Sequence, residues 1–154
     1  MKKYLIEIKW SIILGLLYLG WFLFEKIVGF HSSKALYEPL FNLLFTPIFG
    51  FIFYLAIKNK KQIDFSNEIN WKQGFGSGIV LAFFVALTTS IATYLTFLFI
   101  SPDFFKNAIQ MSSKQNMEDQ YNIGVFIKNN IFGMLSFGVV FAAIFSYFLK
   151  NKSL

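Results

Sequence analysis

The chain has 154 residues, 56% hydrophobic and only 14% charged, with a mean hydropathy of +0.56; soluble domains average about 25% charged, so lipid is the expected solvent. The absence of cysteine excludes disulfides, thiolate metal sites and cysteine nucleophiles. The formal charge of +6 comes from lysine alone, and without arginine a nucleic-acid role lacks the side chain best suited to bidentate phosphate recognition.

In chain order the sequence predicts an all-α membrane protein, a single domain over residues 1–154 built as a bundle of four transmembrane helices. The first span covers about 5–28, with Trp10 and Trp21 inside it. Lys2 and Lys3 precede it, but the apolar region is too long for a signal sequence, and the nearest small-x-small triplet, Ser33-Lys34-Ala35, lies far downstream. The span is therefore expected to be retained. The second, at about 40–57, opens at Pro39 and carries Pro47 in its middle, where loss of a backbone donor predicts a kink. Lys58 to Gln73 is polar and reads as a connecting loop, with Trp71 as an interfacial anchor.

The third span, about 75–100, is the predicted hub. Ile79 to Ile100 carries no charge, and about 22 helical residues span roughly 33 Å, enough for the hydrocarbon core of a bilayer. Gly74, Gly78, Ala82, Ala86 and Ser90 place a small residue at every fourth position. Helices in lipid associate through close van der Waals packing, which small residues at that spacing permit. The fourth span, about 130–149, repeats the device with Gly138, Ala142 and Ser146, which could meet the face on the third. Between them, Ser101-Pro102-Asp103 reads as a helix stop and start, with Ser101 capping and Asp103 at the positive end of the macrodipole. A short amphipathic helix should follow, with Phe104, Phe105, Ala108 and Ile109 on one side, lying in the membrane interface. Asn116 and Asp119 are spaced like a further capping pair.

Lysines near the span ends set orientation. Lys2, Lys3, Lys9, Lys58, Lys60, Lys61, Lys72, Lys150 and Lys152 fall on the side of the termini, against Lys26, Lys34, Lys106, Lys114 and Lys128 on the other. That asymmetry favours both termini in the cytoplasm.

Polar groups inside spans invite a functional reading. Thr89, Thr93 and Thr96 share a face of the third helix and could line a polar path, or could bond back to their own helix carbonyls. Glu7 and Lys9 are expected to snorkel to the interface. Glu25 falls short of the outer interface, and with His31, the single histidine, and Asp103 it forms the candidate polar cluster, either a cation or proton site or an interfacial ion pair closing the helix. No hydrolase constellation, metal-ligand spacing or phosphate loop is present, so no catalytic residue, metal or cofactor is expected.

Glu25-Lys26-x-x-Gly29-x-His31, Trp71-Lys72-Gln73-Gly74-Phe75-x-x-Gly78 and Ile100-Ser101-Pro102-Asp103-Phe104-Phe105 occur in the order found in a family of small bacterial membrane proteins, domain of unknown function 4199. The resemblance covers essentially the whole chain and implies four transmembrane helices in a bacterial inner membrane, with no known activity. The chain departs from the family in carrying lysine rather than arginine at the C-terminus and in lacking an alanine-rich helix over Met111–Tyr121. Three roles follow as expectations. One is a non-enzymatic component that packs with itself or with another membrane protein through the small-residue faces. Another is a small transporter or proton-coupled carrier, recognisable by a polar path joining the threonines to Glu25. The third is a membrane enzyme using Glu25, His31 and Asp103 at the outer surface.

Overall fold

A computed structural model describes residues 4–112 and 117–151. The helices are α1 (Leu5–Val28), α2 (Glu38–Asn42), α3 (Thr46–Asp64), α4 (Trp71–Leu95), α5 (Phe104–Met111) and α6 (Ile123–Leu149). Short 3₁₀ turns cover Ala35–Tyr37, Leu43–Phe45 and Met117–Asp119, and α4 continues into a π turn at Thr96–Ile100. Four helical segments, Leu5–Val28, Ala35–Asp64, Trp71–Ile100 and Ile123–Leu149, are long and apolar enough to cross a membrane. α4 is the hub, packing most extensively on α6, then on α1, with α3 completing the bundle.

Three spans reach further than hydropathy alone indicates, each for a local reason. The second runs on to Asp64 because its charges are paired: Lys60 lies 2.7 Å from Asp64, one turn on, and 3.0 Å from Glu7 of α1. Glu7 is therefore buried rather than snorkelling, and it also accepts a 2.8 Å hydrogen bond from Ser77 of α4. The third span starts at Trp71 because Asn70 and Gln73 form a capping box, with Asn70 Oδ1 accepting from the Gln73 N–H and Gln73 Oε1 from the Asn70 N–H. The fourth starts at Ile123, where Asn122 Oδ1 accepts from the Val125 N–H. Of the pair expected to cap nearby, Asn116 and Asp119, Asn116 lies outside the described residues.

Pro47 does not kink a continuous helix. It sits in the first turn of α3, where its missing N–H goes unneeded, and the preceding 3₁₀ turn at Leu43–Phe45 absorbs the break. The second span is thus a short helix, a tight turn and a long helix.

The small-residue faces meet inside the chain. A methyl on Gly78 would stand 2.3 Å from Ala142 Cβ, one on Gly138 2.5 Å from Ala82 Cβ, and one on Gly74 2.8 Å from Ser146 Oγ. Ala82, Ala86 and Ala142 are buried. Gly78 and Gly138 are required because the two backbones run too close for any side chain at those points. These faces are consumed by α4 and α6 and are not left open for a partner. Trp71 Nε1 ties the same pair by donating to the Ala143 carbonyl at 3.1 Å. At the end of the bundle bearing both termini, Asn151 and Ile69 exchange two hydrogen bonds and Lys61 donates to the Leu149 carbonyl.

Candidate functional site

The site lies at the opposite end and begins with the turn that ends α1. Gly29 adopts φ 92°, open to glycine at little cost, and the chain reverses in a Schellman motif: Phe30 N–H donates to the Glu25 carbonyl at 2.9 Å and Gly29 N–H to the Lys26 carbonyl at 3.1 Å. The reversal returns His31 beneath Glu25, with His31 Nε2 3.5 Å from Glu25 Oε2, a polar approach longer than a good hydrogen bond. Glu25 Oε1 accepts a 2.7 Å hydrogen bond from Trp21 Nε1, one turn back.

The far side of His31 is held by the end of α4. The π turn closes with a 2.7 Å bond from Ser101 N–H to the Thr96 carbonyl and brings Ser101 Oγ to 2.7 Å from His31 Nδ1. Lys26 donates to the Ile100 carbonyl, and Asn107 of α5 to the His31 carbonyl at 3.1 Å. Two of the three quoted motifs, Glu25-to-His31 and Ile100-to-Phe105, are therefore halves of one junction. Phe22, Phe97 and Phe104 surround the imidazole at centroid distances of 6.0, 5.7 and 5.4 Å. Burial, and secondarily the Lys26 charge, lowers the His31 pKa to about 4, so the ring is neutral at pH 7. The neutral tautomer that serves both neighbours carries its proton on Nε2, toward Glu25, with Nδ1 accepting from Ser101.

Of the predicted cluster, Glu25 and His31 come together and Asp103 does not. Asp103 is exposed and precedes α5 without capping it through its side chain. Ser101, expected as that cap, turns inward to His31 instead. The apolar face of α5 is turned into the protein: Phe104 and Ala108 are fully buried, and the helix packs on the Ala35–Tyr37 turn, closing the bundle end. Ser101, His31 and Glu25 have the connectivity of a nucleophile, base and carboxylate. All three are nonetheless buried beneath aromatic rings.

Beside this junction opens a cavity of about 700 Å³ between the broken second span and the first half of α6, with Phe22, Phe49, Phe126 and Phe137 on its apolar walls. Its polar side is a set of residues that sequence reading misses. Glu38, 1% exposed, lines the cavity and meets Asn42 Nδ2 only at 3.5 Å. The same amide donates to the Tyr18 hydroxyl at 2.8 Å, which also accepts from Asn130 Nδ2 at 3.3 Å. Asn130 Oδ1 in turn accepts from Thr89 at 2.9 Å and Ser90 at 3.2 Å. Burial, followed by the nearby Glu38 charge, raises the hydroxyl of Tyr121, another lining residue, above its ordinary pKa. None of Glu25, His31 and Ser101 lines this space. The available signal was Glu38 four residues before Asn42, a polar pair on one helical face within an apolar stretch.

Of the threonines, Thr89 bonds to the Val85 carbonyl and to Asn130, and Thr93 to the Thr89 carbonyl and lines the cavity. Thr96 Oγ1 is buried with no hydrogen-bond partner among the described residues. They reach the Glu38 side of the site through Asn130 and Tyr18, not Glu25.

A family model described as a protein of unknown function (DUF4199) matches residues 9–151. No curated protein and no solved structure matches the chain.

Proposed function

Because the chain belongs to the DUF4199 family, whose description assigns no activity, we propose its role from its own geometry: a non-enzymatic bacterial inner-membrane protein, both termini cytoplasmic, that binds a small molecule in the cavity between the second span and α6. One observation carries this reading. A cavity of about 700 Å³ is the size of an ordinary small-molecule site, and like such sites it combines apolar walls with a few converging polar groups. The lysine asymmetry supports the orientation, and the resemblance supports the membrane. A non-enzymatic role is supported by the burial of Ser101, His31 and Glu25 under rings and away from the cavity.

A carrier is the second reading, favoured by the hydrogen-bonded chain from Glu38 through Asn42, Tyr18 and Asn130 to Thr89. Against it stands the close α4–α6 contact at Gly78 and Ala142, which seals the half of the bundle nearer the termini.

The test fills the cavity. Protein in lipid nanodiscs is screened by thermal shift against small molecules of each charge class, beside Thr46→Trp and Val125→Trp, two lining positions. At least one class should stabilise the wild type and fail to stabilise both variants; a screen in which all three proteins respond alike overturns the proposal.

A further inference from the structure

We propose that the cavity selects a small organic monocation, an ammonium group on an apolar body, with the charged nitrogen at Glu38. This rests on the cavity being a binding site, as proposed above, and names its ligand class. Glu38 is 1% exposed, and among the described residues no lysine lies within ion-pair distance of it. Among the described residues its one side-chain hydrogen bond is the long one with Asn42. A buried carboxylate without a cation is costly, and a ligand that supplies the cation converts that cost into a paired, hydrogen-bonded contact.

The groups around Glu38 are those an ammonium needs. Asn42 turns its amide N–H toward Tyr18 and leaves Oδ1 without a donor among the described residues. Thr93 spends its proton on the Thr89 carbonyl, which leaves its oxygen able to accept. Both line the cavity with Glu38. The remaining wall is aromatic, from Tyr18, Phe22, Phe45, Phe49, Phe126 and Phe137, and ring faces attract cations. Glu25 lies within electrostatic reach of Glu38. The one cation of the lining, Lys128, is exposed and shares the lining with Asp119. An anion would have to lose its water next to the acidic Glu38 side chain.

The probes are 4-phenylbutylammonium, 4-phenylbutanol and 4-phenylbutyrate, which share one apolar body and differ in charge. They are titrated by calorimetry against the whole chain in phosphatidylglycerol nanodiscs, whose headgroups contain no amine. The ammonium should bind at least tenfold more tightly than the alcohol, and the carboxylate least. Glu38→Gln should remove that preference while retaining the alcohol, and Lys128→Ala should keep it. Equal binding of ammonium and alcohol by the wild type overturns the inference whether or not any variant folds, and so does a preference that survives in Glu38→Gln. The two proposals fail separately: if Thr46→Trp blocks ammonium and alcohol that bind equally, the cavity stands and the cation selectivity falls; if it blocks neither, the cavity reading itself falls. Repetition with phosphatidylethanolamine distinguishes sources. Competition by that lipid assigns the site to its headgroup ammonium, and undiminished binding assigns it to a soluble amine.

Discussion

Replacing Gly78 by alanine adds one methyl at the closest point between α4 and α6. That methyl would stand 2.3 Å from Ala142 Cβ and 3.0 Å from Ala142 Cα, where ordinary contact begins at 3.4 Å. To move from 2.3 to 3.4 Å the helices must part by about 1.1 Å, and the obstacle is a methyl and backbone, neither of which can rotate away. A gap of 0.5–1 Å forfeits about a quarter to a half of the dispersion energy of the atoms concerned. The loss extends to Gly74 against Ser146 and Gly138 against Ala82, which depend on the same approach. Overpacking of this kind costs about 1–3 kcal/mol.

Glycine-to-alanine exchange in a helix also stabilises, by roughly 0.5–1 kcal/mol, so a control is needed. Gly76 lies on the same helix with nothing within 4 Å of an added methyl. Unfolding in mixed micelles by increasing sodium dodecyl sulfate, followed by tryptophan fluorescence, should place Gly78→Ala below Gly76→Ala by about 1–3 kcal/mol. Adding Ala142→Gly to Gly78→Ala removes the opposing methyl and should recover part of the loss, a coupling expected only of residues in contact. Coincident unfolding curves for the two alanine variants would refute the close packing of α4 on α6.

Gly29→Ala forces a side chain into the left-handed region at φ 92° and should cost about 1–2 kcal/mol, with Gly29→Asn milder; equal stability of the three proteins by the same assay would count against the reversal at the end of α1. Ser101→Ala leaves His31 Nδ1 buried without its partner and should cost about 1–3 kcal/mol, whereas Asp103→Asn on the exposed turn should stay within about 0.5 kcal/mol of wild type; the reverse ranking would restore Asp103 to the cluster. His31 sets a pH dependence. Unfolded chains take up its proton below pH about 6.5 and the folded protein only near 4, so stability should fall as pH drops through that window and level off beneath it. His31→Gln should flatten that segment of the stability–pH curve, and an unchanged slope would show that another group is responsible.

The bundle was legible in the sequence because its evidence is periodic and local. Four apolar runs of membrane length, the i,i+4 stripes from Gly74 to Ser90 and from Gly138 to Ser146, and the amphipathic Phe104–Met111 helix each depend on residues close in the chain. What escaped depends on partners far away in sequence. Lys60 marks a loop by charge until Glu7, 53 residues earlier, neutralises it inside the bundle. Ser101 is a good cap by type, and only the π turn, which composition does not announce, aims it at His31. Glu38 stands beside a proline at the edge of a hydropathy window and so reads as the end of a loop; its importance comes from Asn42, Tyr18 and Asn130, three residues contributed by three different spans.

The two halves of the bundle have opposite packing, and one helix produces both. Toward the termini, α6 presents Gly138, Ala142 and Ser146 and lies against α4 without room for a methyl. Toward the other end the same helix presents Asn130, Met134 and Phe137 to the cavity. Facing it there, the second span has given up continuous helix for a 3₁₀ turn between Pro39 and Pro47. In a straight, evenly packed pair, Glu38 and Asn130 would be obliged to find complete partners inside the protein or to be replaced by apolar residues. The broken span removes that obligation by leaving a lined space, and the Glu25–His31–Ser101 junction closes the bundle end beside it. Polar residues that would be a liability in a uniform bundle are accommodated here because the fold leaves them a lined space, the one proposed above to hold a ligand.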